Sequence, residues 1–257
     1  MAWQLRQSDC SAGDIFTSLK TIEQEGKAAA DLKAGVVRIG SFGASSSIRL
    51  LPALIDRFTE RYPGIEVIVL ESDDRDVEQQ LVQGVIDLGV VTLPRLNFET
   101  LHLVTDEFVA VLPEGHELAA HDPVDIRELA KHNFILRHSG SAGLVRRLFD
   151  RAGVELRVTH DLGQIWSILD FVRRRQGVSI IASLALPDSF PGIVKRSVIP
   201  RGIRSIGLAC RDEGRLSPAA RAFWRIARDN ENPASLQSFS SSSLSPMRPL
   251  SKNSPLT

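Results

Sequence analysis

The chain has 257 residues, with 31 lysines and arginines against 31 aspartates and glutamates, so its net charge is zero. That length supports one large domain or two smaller ones, each with its own core. The charge balance and the lack of a basic block remove the electrostatic footprint of a free-standing nucleic-acid binder, and no run nears the roughly 20 apolar residues of a membrane span.

The opening segment MAWQLRQSDCSAGD has no apolar core of signal-peptide length, which points to the cytoplasm. Cys10 and Cys210 are isolated, without CxxC spacing or a histidine cluster, and read as structural thiols rather than a disulfide framework or a zinc site. Next, DIFTSLKTIEQEGKAAADLKAG aligns Ile15, Leu19, Ile22, Ala29 and Leu32 as one apolar stripe along a helix, which needs a partner outside that helix.

From Gly35 onward, short β-branched runs alternate with helical patterns. VVRIG (36–40), IEVIVLE (65–71) and IDLGVV (86–91) are expected strands, the last two apolar enough for burial on both faces. Between them, SIRLLPALIDRFTERYPG places Leu51, Leu54, Ile55, Phe58 and Tyr62 on one helix face and stops at Pro63-Gly64, while DRDVEQQLVQG stops at Gly84. This βαβαβ order is that of an α/β protein.

A second set follows TLPRLNFE. Its strands are EFVAVLP (107–113), FILR (134–137), VELRVTH (154–160) and GVSIIAS (177–183). The helices DIRELAK, SAGLVRRLFDRAG and IWSILDFVRRRQG separate them, the last two expected to close on Gly153 and Gly177. After Pro200 come the strand SIGLAC (205–210) and the helix SPAARAFWRIARD (217–229), with Ser217 as N-cap and Pro218 at the first helical position. Residues 230–257, rich in Ser and Pro and without an apolar period, read as a disordered tail.

An amphipathic helix followed by LKAGVVRIG, LLPALIDRFTERYPGIEVIVLE, LVQGVIDLGVV, DEFVAVLPEGHELA, NFILRHSGSAGLVRRLFDRAGVELRV and GQIWSILDFVRRRQGVSIIASLAL resembles the effector-binding region of LysR-type transcriptional regulators, over about residues 14–229. The resemblance implies an α/β, two-lobed type II periplasmic-binding-protein-like fold. Each lobe would be a mixed, mainly parallel sheet flanked by helices, with a small effector in the cleft between them. It divides the chain into a poorly ordered remnant (1–13), a linker and dimerisation helix (14–34), lobe I (35–97 and 203–229) and lobe II (98–202). Family members carry a winged helix-turn-helix ahead of the linker helix, and CSAGD (10–14) shows at most its end. This chain is therefore expected to bind an effector and form a homodimer or tetramer through the linker helix and lobes. Promoter DNA would be a partner only of a full-length form carrying the helix-turn-helix. No cofactor, metal or membrane partner is implied.

In an open α/β sheet, ligands bind beyond the carboxyl ends of the strands, where helix N-termini present unpaired N–H groups. Ser45, Ser46 and Ser47 lie in such a turn, after the first strand; one suits the helix N-cap, and the others suit a ligand carboxylate. The second strand ends in ESDDRD, and Asp74, beside Asp73, stands where the family commonly has a small hydroxyl residue. An unpaired carboxylate there disfavours a simple anion, so either the aspartates cap the helix or the ligand carries a donor or positive group. In LRHSGSAG (136–143), Arg137 and His138 offer charge and donors, and Ser139 and Ser141 bind or cap. Arg137 equally suits a surface ion pair, and His138 an exposed turn. The resemblance adds Thr92 at the first crossover and Gln164 and Ile165 after VTHDLG, Ile165 also fitting a core position.

No GxSxG, HExxH or GxxxxGK[ST] motif is present, and His116 and His121 fall in a polar loop, so neither catalysis nor a metal site is expected. The rival reading is a solute-binding protein of the same fold acting as a transport receptor, which would require export. A two-lobe enzyme is more remote. The linker helix favours the regulator.

Overall fold

A computed structural model describes residues 32–138 and 141–229. Expectations for residues 1–31, including Cys10, for Ser139 and for the tail lie outside these residues. Of the expected linker helix only residues 32–34 are described; they form a turn, with Leu32 packed against the first core.

The chain enters β1 (Gly35–Ser41), which pairs in parallel with β2 (Ile65–Glu71) along its whole length. Between them lie a π-helical turn (Ser45–Leu50) and α1 (Leu51–Arg61), where one continuous helix was expected. Pro52 has no N–H to donate, so the α-helical ladder cannot run back through it. Ala44 occupies the N-cap, and none of the three serines caps this segment, contrary to expectation. Next, α2 (Asp74–Gln83) closes on Gly84 in the left-handed region at φ 71° and leads into β3 (Leu88–Leu93), which pairs in parallel with β1. β3 is buried on both faces; β2 is not, because it is the edge strand and Val69 is 39 % exposed.

The long strand β4 (Glu99–Pro113) is followed by β5 (Val124–Asp125), α3 (Ile126–Leu129), β6 (Phe134–Arg137), α4 (Ala142–Ala152) and β7 (Val158–Leu162). Then come α5 (Ile165–Arg173), β8 (Ser179–Ala182), β9 (Ile193–Ile199), β10 (Ile203–Cys210) and α6 (Pro218–Asp229). The main sheet has the order β2-β1-β3-β10-β4-β9-β5, with β8 also on β4, and β6 and β7 form a separate parallel pair. The amphipathic α6 starts as expected, with Ala220 N–H donating to Ser217 Oγ at 3.2 Å.

β4 joins the two halves. Its first part pairs antiparallel with β10, and Leu101 and Leu103 pack in a core with Phe58, Val77, Leu81 and Trp224. Its second part pairs with β8 and β9; one face, with Phe108 and Leu112, packs against Phe134 and Phe149, and the other, with Val109 and Val111, against Ile168 and Leu169. The change of core thus falls between Leu103 and Phe108, inside a strand.

The first half of β4 and all of β9 carry weak sequence signals. IVKRSVI is interrupted by Lys195 and Arg196, and only Val198 is buried. Gly177 has a different role from the helix closure expected of it. α5 ends at Arg173, and Arg175 takes the left-handed conformation at φ 60°. At Gly177 a Cβ would lie 2.5 Å from the Asn133 carbonyl oxygen, so this glycine permits close backbone approach. Among the described residues, no helix is long and apolar enough to cross a membrane.

Candidate functional site

Two parallel strand pairs, β1–β2 and β6–β7, direct their carboxyl ends toward one cleft of about 1240 Å³. Its walls are the residues that follow those strands: Phe42, Gly43 and Ala44 after β1, Glu71 to Asp73 at the end of β2, Arg137 and His138 at the end of β6, and Gly163 to Trp166 after β7. Strand ends are where helix N-termini and turn amides collect, so the topology concentrates polar groups there.

Arg137 carries the main positive charge of this arrangement. Its Nε donates to the Gly163 carbonyl at 3.2 Å, and among the described residues it has no ion-pair partner. Burial is the largest influence lowering its pKa, and the nearby Arg204 adds to it, while Asp73, Asp74 and Glu71 oppose the shift. The guanidinium reaches across to the other lobe, since a Cβ on Gly43 would sit 3.5 Å from Arg137 Nη2. His138 is 58 % exposed and pairs with Asp161 at 3.2 Å when protonated. Gln164 and Ile165 also line the cleft, and Ile165 belongs at the same time to the core beneath it.

The serine triplet divides. Ser45 is buried and accepts from Arg204 Nη2 at 2.6 Å. Ser46 is fully buried; its Oγ accepts from Phe42 N–H at 3.1 Å and donates to the Gly43 carbonyl at 3.0 Å, which makes it a turn residue. Ser47 donates to Glu71 at the cleft wall and lies 2.6 Å from Ser41 Oγ. Ser141 stands at the N-cap of α4, but its hydroxyl accepts from Arg204 Nη1 at 3.0 Å instead of capping. Thr92 donates to Asp74 Oδ2 at 3.3 Å, while Asp74 Oδ1 is buried without a partner among the described residues. Burial is the principal cause raising the Asp74 pKa, partly offset by Arg204, Thr92 and Arg95. Asp73, at the N-cap of α2, makes no side-chain capping bond and faces the cleft.

Arg204 on β10 carries no sign of this role in the sequence. It lies in an otherwise apolar strand, where alternation makes one charged residue look like a solvent-facing position. Asp106 similarly sits among the charges of the TDEF crossover, which conceal a buried partner. Trp166, Ser72 and Leu186 were also missed as cleft residues, because a helix flank or strand tip carries no local sign of what faces it.

Two α/β halves joined by crossing strands, with strand ends from both halves converging on a polar cleft, define a two-lobed small-molecule-binding domain of the type II periplasmic-binding-protein kind. Residues 30–232 match the LysR substrate binding domain, and the chain belongs to that family. It is the effector-sensing region of a LysR-type transcriptional regulator. It is 31 % identical over 200 residues to the Probable HTH-type transcriptional regulator LrrA of Synechococcus elongatus, covering 77 % of this chain and 67 % of that one. The C-terminal domain of a probable LysR family transcriptional regulator from Rhodococcus sp. RHA1 superposes with a TM-score of 0.69 at 27 % identity, covering 76 % of this chain and 98 % of that one. The Synechocystis PCC6803 CcmR regulatory domain in complex with 2-PG shares the fold, with a TM-score of 0.70 at 22 % identity, covering 77 % and 99 % of the respective chains. Relatives of this kind are transcriptional regulators rather than enzymes.

Proposed function

We propose that the effector is a small metabolite that enters the cleft and binds the closed arrangement of the lobes better than the open one. That difference shifts the hinge population, and a full-length regulator passes the shift to DNA through its dimer. The observation that carries this reading is the convergence of four strand ends around Arg137, which has no ion-pair partner among the described residues.

The residues we assign to ligand contact are Arg137, His138, Gln164 and Ile165. Ser47 acts through Glu71, while Asp74 and Thr92 hold each other beside Asp73 and do not themselves line the cleft. Ser45 and Ser141 act through Arg204, while Ser46 holds the turn. Ser139 belongs to this set by its position in the LRHSGSAG turn. The moving halves follow the expected division, 35–97 with 203–229 against 98–202, except that Phe98, Leu101, Leu103 and Val104 pack with the first half, so the hinge lies within β4. We also assign a homodimer or tetramer formed through the linker helix and lobes, and a cytoplasmic location, where a DNA-directed regulator works. The curated relatives favour this reading over a transport receptor.

The test is a thermal-shift screen of the purified chain against small carboxylates, amino acids, amines and sugars, followed by small-angle X-ray scattering of each hit. Hits are expected to raise the Tm, reduce the radius of gyration and lose both effects in Arg137→Gln. If every stabilising compound acts unchanged on both Arg137→Gln and Ile165→Trp, ligands bind elsewhere and the reading fails.

A further inference from the structure

The charges on the cleft walls are unbalanced and opposed. On the lobe I side stand Asp56, Glu71, Asp73 and Asp76; on the lobe II side stands Arg137. The other arginine of the cleft, Arg49, is held by Asp188 at 2.6 Å and by the Leu186 carbonyl at 3.2 Å, so that pair is internally satisfied. Four carboxylates therefore face one guanidinium, and among the described residues neither Arg137 nor Asp73 has an ion-pair partner.

An acid-only ligand on Arg137 would meet this carboxylate wall, and an amine-only ligand on the wall would leave Arg137 unpaired. One polar atom at the same wall lacks a partner among the described residues: Ser72 Oγ is buried without a hydrogen bond to them. The remaining surface includes Ile48, Pro52, Ile165, Trp166 and Leu186, an apolar lining.

We propose that the cleft takes a zwitterion with an apolar body, of the α-amino acid type, its carboxylate on Arg137 and its ammonium toward Asp73 and Glu71. This inference rests on the cleft being the sensing site. It adds the charge pattern of the ligand. A carboxylate suits the two-pronged donor geometry of a guanidinium, and an ammonium, a three-fold donor, suits acceptors on the opposite wall. Both lobes are then needed for full affinity, so such a ligand favours closure.

The experiment uses three matched probes, L-phenylalanine, 3-phenylpropionate and phenethylamine, with L-leucine, isovalerate and isoamylamine as a second series. Binding is read by calorimetry and by fluorescence of Trp166, which is 64 % exposed at the cleft. The amino acid of at least one series is expected to bind 10-fold or more tightly than its acid or its amine. Asp73→Asn should weaken the amino acid by 10-fold or more while leaving or improving the acid. Arg137→Gln should weaken the amino acid and the acid but not the amine. Acids binding as tightly as the amino acids would overturn the zwitterion while leaving the sensing cleft intact. Failure of both amino acids to bind also overturns the inference, and the broader screen then decides separately whether the cleft senses anything.

Discussion

Arg204 and Asp106 form an ion pair at 2.7 Å with side chains only 2 % and 1 % exposed, where β4 passes from one core to the other. The pair is hydrogen-bonded on every side. Arg204 Nε adds a second contact to Asp106 Oδ2 at 3.0 Å, Ser45 and Ser141 accept from its two Nη atoms, and Asp106 Oδ1 accepts from Leu184 N–H at 3.1 Å. Ser45 follows β1 and Ser141 precedes α4, so one guanidinium ties the turns of both halves to the crossing strand.

Removing one member leaves an uncompensated buried charge. Asp106→Ala is therefore expected to cost about 3–5 kcal/mol. The double change Arg204→Met with Asp106→Leu should recover much of that loss in urea unfolding. A double variant as unstable as Asp106→Ala alone would show that the pair is not the cause.

Among the described residues, the Arg137 side chain makes a single hydrogen bond, to the Gly163 carbonyl. Arg137→Gln should leave the Tm nearly unchanged and weaken any acid-bearing cleft ligand by roughly 10- to 100-fold, the range for a hydrogen bond to a charged group. Calorimetry on the variant, with its Tm measured in parallel, separates loss of binding from loss of fold.

Burial raises the Asp74 pKa above its ordinary value of 3.8. Between 3.8 and the raised value the native protein holds this proton more firmly than the unfolded chain, so stability falls as pH rises through that window. Above it the full penalty of the buried charge remains. Asp74→Asn removes the penalty, so it should stabilise the protein at neutral pH, and the advantage should shrink as the pH is lowered toward 4. Urea unfolding across pH 4 to 7.5 measures the difference. An advantage that does not change with pH would contradict this account.

Burial pushes the Cys210 thiol up to about 12, and Cys210 is fully buried. Very little thiolate exists at pH 8, so alkylation of the native protein by iodoacetamide should spare Cys210 until urea unfolds the chain. Peptide mass spectrometry distinguishes it from Cys10.

Gly177→Ala places a Cβ 2.5 Å from the Asn133 carbonyl, a contact with backbone that cannot rotate away. The expected cost is about 1–3 kcal/mol. At Gly84 a Cβ meets nothing within 4 Å, and the residue's φ of 71° is the only obstacle. Gly84→Asn should therefore be nearly neutral, because asparagine tolerates the left-handed region. Thermal unfolding of the two variants compares crowding with backbone conformation.

The sequence by itself determined the local order of this protein. The α/β alternation, the helix ends at Gly84 and Gly153 and the start of α6 at Ser217 and Pro218 are set by residues a few positions apart, and so are legible in one chain. It also pointed to Arg137, at a strand end that opens on the cleft, while Gln164 and Ile165 came only from the family resemblance. Only the tertiary structure decided what the serines do. Ser45 and Ser141 carry hydroxyls suited to a cap, yet Arg204 takes both, from 159 and 63 residues away. Burial strengthened that competition: a guanidinium removed from water must find partners for its donors, and the partners in reach were the turns of both halves. No local pattern records which distant charge a fold will bury, so Arg204 and Asp106 stayed hidden in sequence.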